Sequence, residues 1–231
     1  PTARKQFAAE LKENTFTFLR NESKKQQEEG AHCLDINVGV PGIDEATMMK
    51  KAVNVLSNTV TIPLMIDSDN PFVTQVALWQ YPGIPIINSI SAKKQSFEAM
   101  LPLLKKFGSF VVAMCLDESG IHKEASKRIA IGQKLIDLLQ QHGIALSRIF
   151  VDPLILAESA ESGAAQETLK VIEHFAKEGI KTSIGLSNIS FGLPQRKFIN
   201  NVFLKLALQK GLYAAIVNPG VIDSDIAKPY T

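Results

Sequence analysis

A chain of 231 residues with 45% hydrophobic content and no low-complexity tract can bury one sizeable core, which predicts a single domain over 1–231 and excludes a repeat array or a disordered tail. Its formal charge of +2 comes from 25 basic and 23 acidic residues that are interspersed, so no basic stripe argues for nucleic acid or an anionic membrane surface. The only cysteines, Cys33 and Cys115, lie inside apolar runs, which excludes a disulfide framework and predicts buried thiols in a reducing compartment, the cytoplasm.

No stretch approaches the roughly 20 apolar residues that span a bilayer, and the amino terminus lacks the apolar core of a signal peptide. The chain opens on Pro1 without an initiating Met, which predicts a fragment. Residues 3–29 read as a mostly helical segment closing at Gly30. Seven short apolar runs follow: HCLDINV (32–38), IPLMID (62–67), IPIINSI (84–90), FVVAMCLD (110–117), RIFVD (148–152), TSIGLSN (182–188) and YAAIVN (213–218). Their length and Val/Ile content predict buried parallel strands.

Helical periodicity lies between them. Met49, Ala52, Val53 and Leu56 form one apolar stripe, and Phe97, Met100, Leu101 and Leu104 form another, which Pro102 should kink or shorten. Ile129, Leu135, Ile136 and Leu139 mark a third helix stopping at Gly143. Phe198, Val202 and Leu206 mark a later one ending near Gly211 and are expected to cover the sheet, with a homodimer contact as the other use of that face.

Strand and helix in alternation predict a parallel α/β fold. There is no GxGxxG, no GxxxxGK[ST] and no Gly-rich turn after the first strand, so a closed barrel is favoured over an open doubly wound sheet. Seven strands preceded by a helix predict a (β/α)8 TIM barrel whose first strand lies before Pro1 and whose last helix lies after Thr231.

The carboxyl ends of the seven runs carry Asp35 and Asn37, Asp67, Asn88, Asp117, Asp152, Asn188 and Asn218. In a barrel those ends converge on the catalytic face. Asp and Asn there also cap helices and make turns, and Asp69 and Asn70 are alternative caps after the second run. The four His residues (32, 122, 142, 174) are scattered, His142 and His174 at helix ends, and no zinc spacing or GxSxG elbow occurs. Carboxylates and amides suit a polar heterocycle. A carboxylate accepts two hydrogen bonds from a ring N–H and an adjacent NH2, and an amide donates and accepts together.

LDINVG (34–39), PLMIDS (63–68), IINSIS (86–91), MCLDESG (114–120), IFVDPLI (149–155), GLSNISFG (185–192) and IVNPG (216–220), in that order, resemble the methyltetrahydrofolate:corrinoid methyltransferases. That family includes the folate module of cobalamin-dependent methionine synthase and the acetogen methyltetrahydrofolate methyltransferase. It is a pterin-binding, dihydropteroate-synthase-like TIM barrel, and PTARK (1–5) is similar to the residues that come after its first-strand motif.

The resemblance implies that Asp67, Asn88 and Asp152 bind the pterin, with Asp152 on the ring amidine edge. It further implies that Asn188 meets N5, that Asp35 and Asn37 support the site, and that Arg196 approaches the ligand. The implied substrate is methyltetrahydrofolate or tetrahydrofolate. The implied partner is a protein or domain carrying a corrinoid (cobalamin), with no metal bound by this chain. Dihydropteroate synthases share the pocket, but their basic sequence in the corresponding run is replaced here by Ser187-Asn188-Ile189, which points to methyl transfer. A synthase-like pterin enzyme and a non-catalytic folate-binding module are the alternatives.

Overall fold

The computed structural model describes residues 5–227, so most of PTARK lies outside the described residues. The described residues divide into two compact units, one of those up to 89 with 99–111, the other of 90–98 with those from 112 on. Strands β3 and β4 each run from one unit into the other.

In the first unit the amino-terminal segment is two helices, not one: α1 (Lys5–Glu13) and α2 (Thr17–Glu28), broken where Asn14 turns to φ 56°. Strands β1 (Leu34–Ile36), β2 (Leu64–Asp67) and β3 (Ile86–Ser91) pair in parallel, with Ile36 beside Ile66 and Asp67 beside Asn88. Helix α3 (Glu45–Ser57) starts at Asp44, whose carboxylate accepts from the Thr47 N–H and hydroxyl. Helix α4 (Pro71–Gln80), which periodicity did not single out, starts at Asn70, with Pro71 in the first turn.

Strand alternation then sorts the residues. Leu34, Ile36, Leu64 and Ile66 pack into one core with Met49, Ala52, Val53, Leu56 and Ala77 from the two helices, each large side chain contributing about 1.5–3 kcal/mol. Asp35, Asn37, Asp67 and Asn88 fall on the opposite face. Helix α5 (Lys94–Phe107) runs through Pro102 without breaking. Pro102 and Glu98, four residues before it, are both exposed, so water can take the carbonyl that the missing N–H leaves free.

The second unit contains the rest of β4 (Phe110–Met114), then α6 (Ala125–Gln141), β5 (Ile149–Asp152), α7 (Ala164–Lys177), β6 (Ser183–Gly185), α8 (Arg196–Gln209), β7 (Ala214–Ile216) and a short α9 (Ser224–Ala227). Cys115 N–H donates to the Asp152 carbonyl, Val151 bridges Thr182, and β6 pairs β7, the last two in a parallel sense. Gly132 lets α6 press inward: a Cβ there would meet Phe175 Cζ at 2.7 Å and Cys115 Sγ at 2.9 Å. Gly143 and Gly211, at φ 87° and 89°, follow α6 and α8 as expected.

Helix α8 is oriented differently from the sequence expectation. Phe203, Leu204 and Ala207 enter the core, while Phe198, Val202 and Leu206 are 66%, 44% and 44% exposed. Two apolar stripes share that helix, and the one that covers the sheet is the one that also carries buried Asn201, whose amide binds the Lys197 and Val221 carbonyls. Among the described residues no helix is long and apolar enough to cross a membrane.

Candidate functional site

In the first unit the four polar residues of the β1–β3 face bond in two crossing pairs. Asn37 Nδ2 donates to Asp67 Oδ2 at 2.9 Å, and its Oδ1 accepts from the Gly39 N–H at 3.0 Å. Asn88 Nδ2 donates to Asp35 Oδ1 at 3.3 Å, reaching past the β2 strand between them. The sequence placed Asn88 at a strand end. It lies instead inside β3, and the peptide that follows it is cis.

Protein atoms crowd the Asp35 carboxyl although solvent still reaches its side chain, and this burial, reinforced by the Asp67 charge, pushes the acid up to about 7 against the Asn88 hydrogen bond. Asp67 is raised too, mainly by burial, with the Asn37 amide working the other way. Ser68 Oγ donates to Glu45 Oε1 at 2.8 Å and accepts from the Asn70 N–H, so the residues just after Asp67 are tied to the start of α3.

In the second unit Asp152 ends β5, with Ile149 and Val151 buried on the opposite side. Its Oδ1 accepts from the Leu154 N–H at 2.7 Å, and among the described residues nothing donates to Oδ2. Burial pushes Asp152 up to about 7, against the Leu154 hydrogen bond and the nearby Arg128 charge. Arg128 is the buried charge next to this turn that sequence reading missed. It is buried on α6, on the stripe Ala125, Arg128, Gly132, Leu135, Ile136 and Leu139, and a charged residue in an otherwise apolar stripe was the available signal.

Asn188 was expected at a buried strand end, where an unpaired amide costs roughly 1–3 kcal/mol. That cost does not arise. Strand β6 stops at Gly185, residues 186–188 turn as a single 3-10 loop, and the Asn188 side chain is exposed, bonded to no described residue. Arg196 opens α8 and folds back onto this loop, its Nη2 donating to the Ser187 carbonyl at 2.8 Å and its Nε to Ser190 Oγ at 3.1 Å.

The other two strand-end residues serve local turns. Asn218 accepts from the Gly220 N–H, and Asp117 accepts from the Ser119 N–H and faces His122 at 3.2 Å, contacts that hold its carboxyl below the usual range. Among the described residues no group of three or more His, Cys, Asp or Glu is placed to hold a metal ion.

The family model described as pterin binding enzyme matches residues 3–218. Over 215 residues the chain is 29% identical to the methylcorrinoid:tetrahydrofolate methyltransferase of Eubacterium limosum, covering 90% of this chain and 79% of that one. It is 34% identical over 216 residues to the methionine synthase of Mycobacterium tuberculosis, covering 87% of this chain but only 18% of that enzyme. Both relatives carry names from the group that the ordered motifs resemble.

Among solved structures, the dihydropteroate synthase of Stenotrophomonas maltophilia with bound imidazole matches with a TM-score of 0.74 at 21% identity, over 91% of this chain and 85% of that one. The dihydropteroate synthase of Thermus thermophilus matches at 0.72 and 16%, over 90% and 86%. At such identities the likeness carries the fold alone. That fold is the (β/α)8 barrel expected from the strand pattern, of the dihydropteroate-synthase-like kind that the resemblance implied, here with seven strands among the described residues.

Proposed function

The chain belongs to the pterin-binding enzyme family, and from that premise we propose that it is a transferase moving a methyl group between N5 of methyltetrahydrofolate and the cobalt of a corrinoid carried by a partner protein or domain. The name of the Eubacterium limosum relative supports this reading, as do the seven motifs in order. We also read residues 1–231 as one folate-binding domain, since a single family match runs through both units.

The observation that carries the proposal is Asn188, an exposed amide on a short fixed turn, without a partner of its own. N5 is a poor leaving group unless it gains a proton or a strong hydrogen bond as its methyl departs. Asn cannot supply that proton. It can donate its NH2 to neutral N5, or accept from protonated N5 through its carbonyl oxygen, so its contact persists as the nitrogen changes state. Rate then comes from a hydrogen bond that strengthens in the transition state and from holding two reactants in line.

The donor sets fit a folate. Asp152 offers a half-buried carboxylate with Oδ2 unclaimed, which suits the ring N–H and exocyclic NH2 of the amidine edge. In the first unit Asp67 and Asn88 are the proposed pterin ligands, and Asp35 and Asn37 orient them through the two bonds described above. The corrinoid, when its carrier docks, supplies the cobalt that takes or gives the methyl. Arg196 acts by bracing the turn that carries Asn188.

Stopped-flow mixing of the full-length protein with methyltetrahydrofolate and Co(I) cobalamin tests the reading through the appearance of methylcobalamin. Asn188→Ala is expected to slow methyl transfer by about 10²-fold while leaving folate affinity within a few-fold. Asp152→Asn is expected to weaken folate binding instead. Equal loss of both properties in both variants would sink these roles, and folate binding without any transfer would point to a folate-presenting module.

A further inference from the structure

Burying a guanidinium is costly before its bonds are counted, so Arg128, 1% exposed, needs a return on that cost. Its contacts show where the return lies. Nη1 donates to the Pro153 carbonyl at 3.0 Å, the Leu154 carbonyl at 2.7 Å and Thr168 Oγ1 at 3.2 Å, and Nη2 donates to the Lys123 carbonyl at 3.2 Å. Among the described residues Nε is buried without a partner and no carboxylate is hydrogen-bonded to the group.

Two of those acceptors belong to the two residues directly after Asp152. Leu154 sits at φ 60°, a left-handed conformation that strains a non-glycine residue. Its N–H is taken by Asp152 Oδ1 and its carbonyl by Arg128, so one strained residue is gripped from both sides. With Oδ1 engaged in this way, the turn geometry decides where Oδ2 points.

A residue whose only task was to fill the stripe of α6 would be Leu or Met, at no desolvation cost. We propose that Arg128 is a positioning residue for the folate site, clamping the Asp152–Pro153–Leu154 turn so that the free oxygen of Asp152 is held for the amidine edge of the pterin. This rests on the reading of Asp152 as a pterin ligand.

The charge of Arg128 acts in the same direction as its geometry, because it opposes the burial that pushes Asp152 up to about 7. The other titratable groups facing Arg128 are Cys115, just after β4, and Glu167 from α7, while Lys123 meets it only through a carbonyl and pairs its own ammonium with Glu161. A carboxylate that binds donors is needed in its ionised form. Affinity is therefore full above the Asp152 midpoint and lost as pH falls through it, and removing Arg128 moves that midpoint upward.

Isothermal titration of the full-length protein with methyltetrahydrofolate between pH 5.5 and 8.5 reads both effects. Arg128→Met is expected to weaken binding at pH 7 by about tenfold and to raise the pH midpoint. Arg128→Lys, which keeps the charge but not the forked bonds, is expected to keep the midpoint and still lose affinity. In an Asp152→Asn background Arg128→Lys is expected to have little further effect, since the two act as a unit.

Folded variants with wild-type affinity and midpoint, or an undiminished Arg128→Lys effect in the Asp152→Asn background, would overturn the role alone. If Arg128→Met does not fold, the Arg128→Lys cycle decides by itself. A wild-type protein with no measurable folate binding at any pH overturns the functional reading together with this role.

Discussion

In the first unit burial raises both Asp35 and Asp67, the Asp67 charge raises Asp35 further, and two amides, Asn88 and Asn37, temper them, whereas in the second unit burial raises Asp152 and the Leu154 N–H and the buried Arg128 of α6 temper it. Asp35 and Asp152 arrive at the same value, about 7, by these different routes. An amide can bond a carboxyl whether or not it carries a proton. A guanidinium favours the ionised form alone. The first cluster can therefore keep a proton near neutral pH without breaking its bonds, while the second is arranged to present a carboxylate.

The sharpest way to break this contrast is to remove the cation. Arg128→Ala leaves the carbonyls of Pro153, Leu154 and Lys123 without their donor and opens a cavity in the α6 stripe. The expected loss is about 3 kcal/mol of unfolding free energy, measured by urea denaturation at pH 7. A loss below about 1 kcal/mol would mean that water or a neighbour replaces the guanidinium easily, and the second unit would then resemble the first.

The contrast was only half legible in the sequence. All seven strands were visible because their apolar runs are short, β-branched and bounded, and Asp35, Asn37, Asp67 and Asp152 were visible because they punctuate those runs. Asn88 was grouped with the strand ends although its apolar run already reached Ile90, and the structure sets it inside β3, which ends at Ser91. Helix α7 went unmarked although its apolar face is well formed, and α8 offered two apolar stripes between which periodicity cannot choose. Arg128 was overlooked because its meaning is nonlocal. Three of its four partners lie 25, 26 and 40 residues away, and only the fold brings them to it.

A smaller effect tests the first unit. An acid raised in the folded state, as Asp35 is, opposes folding once it ionises, so stability falls as pH rises from about 4, near the unfolded value, toward 7 and is level above. Asp35→Asn keeps an oxygen for the Asn88 amide and removes the charge. Because solvent reaches the Asp35 side chain and screens it, the expected gain is about 1 kcal/mol at pH 8, vanishing near pH 4. Asp152→Asn is expected to bring a smaller gain of the same sign, because the carboxylate it removes, unlike that of Asp35, faces the Arg128 charge. Urea titrations of both variants at pH 4, 6 and 8 check this, and equal gains would erase the distinction between the two acids.

The smallest effect asks whether burial or bond count makes an arginine clamp. Arg196 also donates to a backbone carbonyl, that of Ser187, and to a hydroxyl, that of Ser190, but it is exposed. Its carbonyl partner can turn to water when the guanidinium is removed. The loop has other ties as well: Ile189 N–H to the Leu186 carbonyl, Phe191 N–H to the Asn188 carbonyl and Ser159 Oγ to the Phe191 carbonyl. Arg196→Met is therefore expected to cost about 0.5 kcal/mol of stability and to slow methyl transfer only about twofold to threefold, at unchanged folate affinity. If Arg196→Met instead matched the loss at Arg128, the clamp on Asp152 would owe its strength to the number of its bonds, and the buried charge on α6 would need another explanation.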